Sequence, residues 1–182
     1  MAIAEFFRKL FPNPSEKQSP GEPGVWVTIQ NLAVSDGSIW AGDPFVAARE
    51  EGYMVEVANG DYTVEVKWSD SPLGRKIGRV RVKPASLQDV ELGSQVGEVS
   101  VDQAVVGICD MNALDKAVAG QDDEFQEHIE KFRLRSFGQI NFPMAGDIQI
   151  VYVESGIGDG AYPAFNVLSD DQIVGLEVEF LP

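Results

Sequence analysis

The sequence predicts a mainly β protein: an antiparallel β-sandwich or barrel-like sheet with one or two short helices inserted around residues 112–132. Three observations predict it. Short runs rich in Val, Ile, Tyr, Phe and Trp recur along the chain, and several of them alternate apolar with polar residues. Gly, Pro, Asn and Asp punctuate these runs at short intervals, and helical periodicity is confined to one stretch. An α+β sheet is the alternative arrangement.

The N-terminus stands apart. Ala4 to Phe11 predicts a short amphipathic helix with Phe6, Phe7, Leu10 and Phe11 on one apolar side. Pro12, Pro14, Pro20 and Pro23, set among Ser, Glu, Lys and Gln, make residues 12–24 a linker. A single β-rich domain is therefore expected over residues 25–182. Residues 25–29 read as its first strand and 38–40 as the second, ending at Gly42-Asp43-Pro44. Residues 53–58 and 61–68 flank Asn59-Gly60, the strongest short hairpin signal. Pairing across that turn would set Val57 opposite Tyr62, Val55 opposite Val64 and Tyr53 opposite Val66 on one apolar face. Glu56 with Thr63 and Met54 with Glu65 would form the other face.

Val80 and Val82 alternate with Arg79, Arg81 and Lys83, a half-buried strand with a basic outer side. Residues 98–109 suggest two strands around a turn near Asp102-Gln103. Residues 112–119 and 122–132 read as helical, the second with Asp122, Asp123 and Glu124 in its first turn, as the helix dipole favours. Strands at 139–142, 148–154, 162–168 and 173–180 complete the set. In the last, Leu176, Val178 and Phe180 point one way, Glu177 and Glu179 the other.

Charge narrows the partners. The chain has 182 residues and a formal net charge of −15. Residues 1–90 carry 10 Lys+Arg against 12 Asp+Glu, whereas residues 91–182 carry 4 against 17. That argues against bare nucleic acid, whose phosphates need Lys and Arg, and against an anionic membrane surface. It suits docking on a basic protein partner. The one cysteine, Cys109, permits no intrachain disulfide. The first ten residues are too short and too charged for a signal peptide, and no apolar run approaches a membrane span, so a cytoplasmic location is expected.

Much catalytic chemistry lacks its residues. One histidine, His128, and one cysteine leave no material for a multi-histidine or zinc-ribbon metal site. Neither a phosphate-binding Gly-x-x-x-x-Gly-Lys loop nor a strand-linked dinucleotide fingerprint is present. What remains is carboxylates, tyrosines and loops. Asp36, Asp43, Asp102, Asp110 and Asp159 all fall at predicted strand ends. Convergence of two or three would hold Ca²⁺ or Mg²⁺ through oxygen ligands, or serve acid–base chemistry. Turn-forming side-chain hydrogen bonds are the structural alternative. The loop Ser155-Gly156-Ile157-Gly158-Asp159-Gly160-Ala161-Tyr162-Pro163 concentrates the candidates. Its glycines permit positive φ, Asp159 is displayed between two of them, and Tyr162 precedes a proline.

Several segments taken in order resemble the bacterial family catalogued as domain of unknown function 4241. They are Gly42-Asp43-Pro44, Asn59-Gly60-Asp61-Tyr62-Thr63-Val64, Val101-Asp102-Gln103-Ala104, Gly107-Ile108-Cys109-Asp110 and the loop from Ser155 to Pro163. The resemblance spans roughly residues 25–182 and implies a shared fold and a shared loop, in which family members usually carry Trp at the position of Ile157. It implies no reaction. It does place Asp43, Asp110 and Asp159 inside matching motifs, and so in one candidate site with Gly156, Gly158, Gly160 and Tyr162. Two functions follow as expectations. One is a non-catalytic interaction module with an acidic surface, of the immunity type that blocks a partner protein. The other is a metal-binding or hydrolytic domain built on Asp43, Asp110 and Asp159.

Overall fold

A computed structural model describes residues 20–44, 52–119, 136–142 and 148–182. The strands among them are β1 (Trp26–Val34), β2 (Ser38–Gly42), β3 (Tyr53–Glu56), β4 (Gly60–Ser71), β5 (Gly74–Pro84), β6 (Glu91–Val101), β7 (Val105–Asp110), β8 (Phe137–Phe142), β9 (Ile148–Glu154), β10 (Gly160–Ser169) and β11 (Gln172–Glu179); helix α1 is Met111–Ala119. They form two antiparallel sheets, consistent with a β-sandwich. One has six strands in the order β1-β4-β5-β11-β10-β6, the other five in the order β3-β2-β7-β9-β8. The mainly β expectation holds. The helix expected over 112–119 is α1; those expected over 4–11 and 122–132, and His128 with the latter, lie outside the described residues.

Alternation assigns the faces. Leu32, Val34, Tyr62, Val64, Val66, Val80, Val82, Val99, Val101, Tyr162, Ala164, Leu176 and Val178 of the six-stranded sheet are buried against Ile39, Ala41, Val55, Val106, Ile108, Val151 and Val153 of the other. Alternate residues of β2, β7 and β9 are buried on the opposite side too. Trp40, Cys109, Ile150 and Tyr152 form a second cluster with Met111 and Leu114 of α1. A sheet covered on both sides has no polar face to alternate with, which is why residues 105–109 and 148–153 read as near-continuous apolar runs.

The outer side of the six-stranded sheet is charged. β5 carries the expected basic residues, and its neighbours neutralise them. Arg81 donates to Glu65 of β4 (Nη2–Oε2 2.6 Å, Nε–Oε2 3.1 Å) and Lys83 lies 3.5 Å from Glu65 Oε1. Arg79 pairs with Glu177 of β11 at 3.0 Å and also with Glu179. The Arg81 guanidinium stacks 4.0 Å from the Trp26 ring centre.

One expected pairing is wrong. β3 pairs with β2 (Ile39 opposite Val55), while β4 pairs with β1 and β5, so Asn59-Gly60 joins two sheets and makes no hairpin. The face assignment survives. Val55, Tyr62, Val64 and Val66 are buried, and Tyr53 and Val57 pack on the same core. The two apolar sets meet across the sandwich instead of side by side, and hydrophobic pattern alone does not separate those arrangements. Glu65 is correspondingly buried against Arg81, not paired with the exposed Met54. Two-residue hairpins lie elsewhere among the described residues: β4–β5 closes at Ser71 opposite Gly74, and β10–β11 at Ser169 opposite Gln172. In the latter turn Asp170 and Asp171 both take positive φ, 50° and 61°, the backbone of a type I′ turn.

The last residues of the expected linker lie along β4. Gly24 N–H donates to the Trp68 carbonyl at 2.9 Å, Pro23 bridges Trp68, and Arg75 Nη1 donates to the Gly21 carbonyl at 3.3 Å. Residues 1–19 lie outside the described set.

Candidate interaction rim

The chain passes between sheets four times among the described residues, and the registers place those passages at two opposite rims. β1 to β2 and β3 to β4 turn at the first rim, where Ser38 pairs with Glu56 and Val34 with Gly60. β6 to β7 and β9 to β10 turn at the second, where Val101 pairs with Gly160 and Val105 with Glu154. A backbone leaving one ladder for another has N–H groups with no ladder partner, and these need acceptors.

A buried aspartate supplies them at each rim. At the first, Asp110 Oδ2 accepts from Ser35 N–H at 2.5 Å, Ser35 Oγ at 3.2 Å and Asp36 N–H at 3.3 Å. Its Oδ1 accepts from Asn112 N–H at 2.9 Å, which makes Asp110 the N-cap of α1. Asp36 Oδ1 closes a local turn onto Ser38 N–H and Oγ at 3.1 and 2.9 Å. At the second rim, Asp43 Oδ2 accepts from Asp102 N–H at 2.8 Å. Asp43 and Asp110 are 3 % and 5 % exposed.

The three carboxylates expected to share a ligand therefore do not meet. Asp110 lies opposite Ile39, and Asp43 follows Gly42, which lies opposite Gly107. Four residues of strand separate them, about 13 Å. Asp159 precedes Gly160 and belongs to the second rim with Asp43 and Asp102. No group of three or more His, Cys, Asp or Glu among the described residues is arranged to hold a metal ion.

The glycine-rich loop is the best-defined part of the second rim. It joins β9 to β10, hence sheet to sheet, and is no hairpin. Gly156, Gly158 and Gly160 all have positive φ, 74°, 118° and 157°. Ser155 N–H donates to the Ala104 carbonyl at 2.8 Å, tying this loop to the β6–β7 passage. Tyr162 points inward: its hydroxyl donates to the Gly158 carbonyl at 2.5 Å, the same acceptor that Ser155 Oγ reaches at 2.5 Å, and its ring meets Phe180 edge-on at 5.2 Å. The hydroxyls of Ser155 and Tyr162 are thus spent on holding the loop. Asp159 makes none of the hydrogen bonds among the described residues and stands exposed, as do Asp102 and Gln103. Ile157, 52 % exposed, projects from the same loop. The sequence pattern did not single out Ile157; a β-branched apolar residue between glycines in a polar loop was the available signal.

Burial pushes the Cys109 thiol far above its ordinary value, and the carboxylates of Asp110, Asp36 and Asp115 push the same way. No helix among the described residues is long and apolar enough to cross a membrane. Comparison of the chain with protein-family models, with curated proteins and with solved structures finds no match.

Proposed function

We propose that this protein is a non-catalytic, cytoplasmic interaction module whose second rim docks a basic protein partner, in the manner of an immunity-type protein that blocks another protein. The observation that carries the reading is the display of Ile157, 52 % exposed, beside the exposed carboxylates of Asp102 and Asp159. The backbone beneath them is fixed by Ser155, Tyr162 and Asp43. An apolar knob on a fixed loop loses little freedom on binding, and flanking charge steers a partner of opposite sign. The excess of acid in residues 91–182, 17 Asp+Glu against 4 Lys+Arg, supports the same polarity.

The test is kinetic. A partner recovered from the native host is bound to immobilised wild-type protein and to Asp102→Lys/Asp159→Lys and Ile157→Ala variants. The expected association rate falls at least about tenfold between low and high salt and in the charge-reversed variant, while Ile157→Ala acts mainly on dissociation. An association rate indifferent to salt and to both aspartates removes the proposal.

A further inference from the structure

The six-stranded sheet ends in two open edges, β1 and β6, and the five-stranded sheet in β3 and β8. Exposed edges present unpaired N–H and C=O groups, and proteins usually blunt them with charge, bulges, glycine or brevity. β6 has Glu91, Glu98, Gly93, Gly97 and two register shifts against β10. β3 is four residues long. β8 has six residues and includes Gly138, and β1 is the least defended of the four. It runs for nine residues without charge, proline or glycine, has one register shift, and is preceded by Val25, 49 % exposed, with Val27 39 % exposed. Among the described residues nothing pairs with its outer side.

We propose that β1 is a self-association edge, on which β1 of a second copy adds antiparallel across a two-fold axis to make one continuous sheet of both protomers. Charge selects this occupant. Glu177 and Glu179 of β11 and Glu91 and Glu98 of β6 lie in the far half of the sheet, with no Lys or Arg on β11, β10 or β6, whereas β4 and β5, next to β1, carry six Lys+Arg against three Asp+Glu. β6 is five strand spacings from β1, about 24 Å. That is some three Debye lengths at physiological ionic strength, so the edge at β1 is where chains of net charge −15 meet with least repulsion.

The ends of β1 are also complementary. Its Val34 end lies beside Asp61 and Asp36, with Ala33 opposite Asp61. Its Trp26 end lies opposite Lys67 and beneath Arg81, which is paired with Glu65 opposite Thr28, with Glu22 just beyond. Antiparallel pairing brings the acidic Val34 end of one copy beside Lys67 at the mixed-charge Trp26 end of the other, whereas parallel pairing sets the two acidic ends together.

Sedimentation velocity on the full chain, from low micromolar to several hundred micromolar, reads the outcome. The expected result is a reversible rise in mass from 19.8 kDa toward twice that value. The rise should be abolished by Val27→Lys/Ala33→Lys, which places edge lysines on exposed positions without touching the core. Should that variant not fold, hydrogen exchange on the wild type decides. Amides within residues 26–34 should slow about tenfold or more between dilute and concentrated protein, while those of residues 91–101 stay unchanged. A monomer at every concentration overturns the proposal. So does a dimer whose protection lies outside β1, or one that persists in the folded lysine variant.

Discussion

Alanine substitutions at three glycines separate two costs that Gly156 combines. A Cβ built on Gly156 falls 2.3 Å from the Ile77 carbonyl oxygen of β5, whereas real Cβ contacts essentially never fall below 3.0 Å. Buried backbone would have to move by roughly 0.7 Å, an overpacking cost of about 1–3 kcal/mol. Gly156 also sits at φ 74°, which costs a residue with a Cβ about 1–2 kcal/mol. Gly156→Ala should therefore lose about 2–5 kcal/mol. Gly158 has φ 118° and open space around a built Cβ, so Gly158→Ala carries only the backbone cost, about 1–2 kcal/mol. Gly175 is outside the left-handed region, but its Cβ would lie 2.0 Å from the Val82 carbonyl oxygen, so Gly175→Ala carries only the contact. Urea unfolding at pH 7 measures all three. For a chain of this size each kcal/mol also lowers the midpoint temperature by about 2–4 °C. A Gly156→Ala loss no larger than that of Gly158→Ala would show that the loop relaxes away from β5, refuting the argument that close approach fixes the rim.

Asp110→Ala removes the acceptor for Ser35, Asp36 and Asn112 N–H groups together with the α1 cap. It should cost about 3 kcal/mol in equilibrium unfolding, and a loss below about 1 kcal/mol would deny the carboxylate its stapling role. Asp159→Ala, with no hydrogen bond to lose, should leave the urea midpoint unchanged while weakening partner association; a clear loss of stability would contradict the exposed placement. Burial raises the Glu177 carboxyl above its ordinary value, with Arg79 acting in the opposite direction. The folded state then keeps this proton to higher pH than the unfolded chain, so the linked stability is fully present below about pH 4.5 and is lost as pH rises through the folded value. Glu177→Gln should consequently be at least as stable as wild type at pH 7, with its relative advantage shrinking toward pH 4; the opposite pH trend would reverse the assignment. Cys109, fully buried with its thiol pushed upward, should resist Ellman's reagent at pH 8 until urea unfolds the protein, and prompt labelling of the folded form would mean the second core cluster opens.

The sequence carried the inward and outward assignment of most strands, because alternation is a local property. Tyr62, Val64 and Val66 face the core as their spacing predicts. Strand neighbours were not legible. Asn59-Gly60 satisfies a hairpin turn and a passage between sheets equally well, since both need one permissive residue where the chain reverses; Gly60 takes φ 153° here. The two hairpins of the six-stranded sheet close instead through Pro72-Leu73 and Asp170-Asp171. The latter pair adopts left-handed backbone without glycine, an option open to Asp because its short polar side chain tolerates that conformation. Whether Asp43 and Asp110 share a site depended on strand order too, and strand order is set by contacts distant in sequence.

The aspartates at strand ends divide by what folding already asks of them. Asp110 and Asp43 are buried and satisfy N–H groups where the chain changes sheets, and Asp36 closes its own turn. Asp110 has the clearest structural reason to be acidic: its carboxylate accepts three N–H bonds at once, which a neutral side chain of that length does less well. Asp102 contributes its backbone N–H, so its exposed side chain is not required by that contact. The Asp159 side chain satisfies nothing in the described fold, and Ile157 leaves half its surface in water. The loop beneath them is nonetheless held by paired hydroxyl donors on one carbonyl and by a glycine against β5. Stability alone would be served as well by a short polar turn. A rigid support carrying side chains that folding does not use is the arrangement expected of a surface shaped for another molecule.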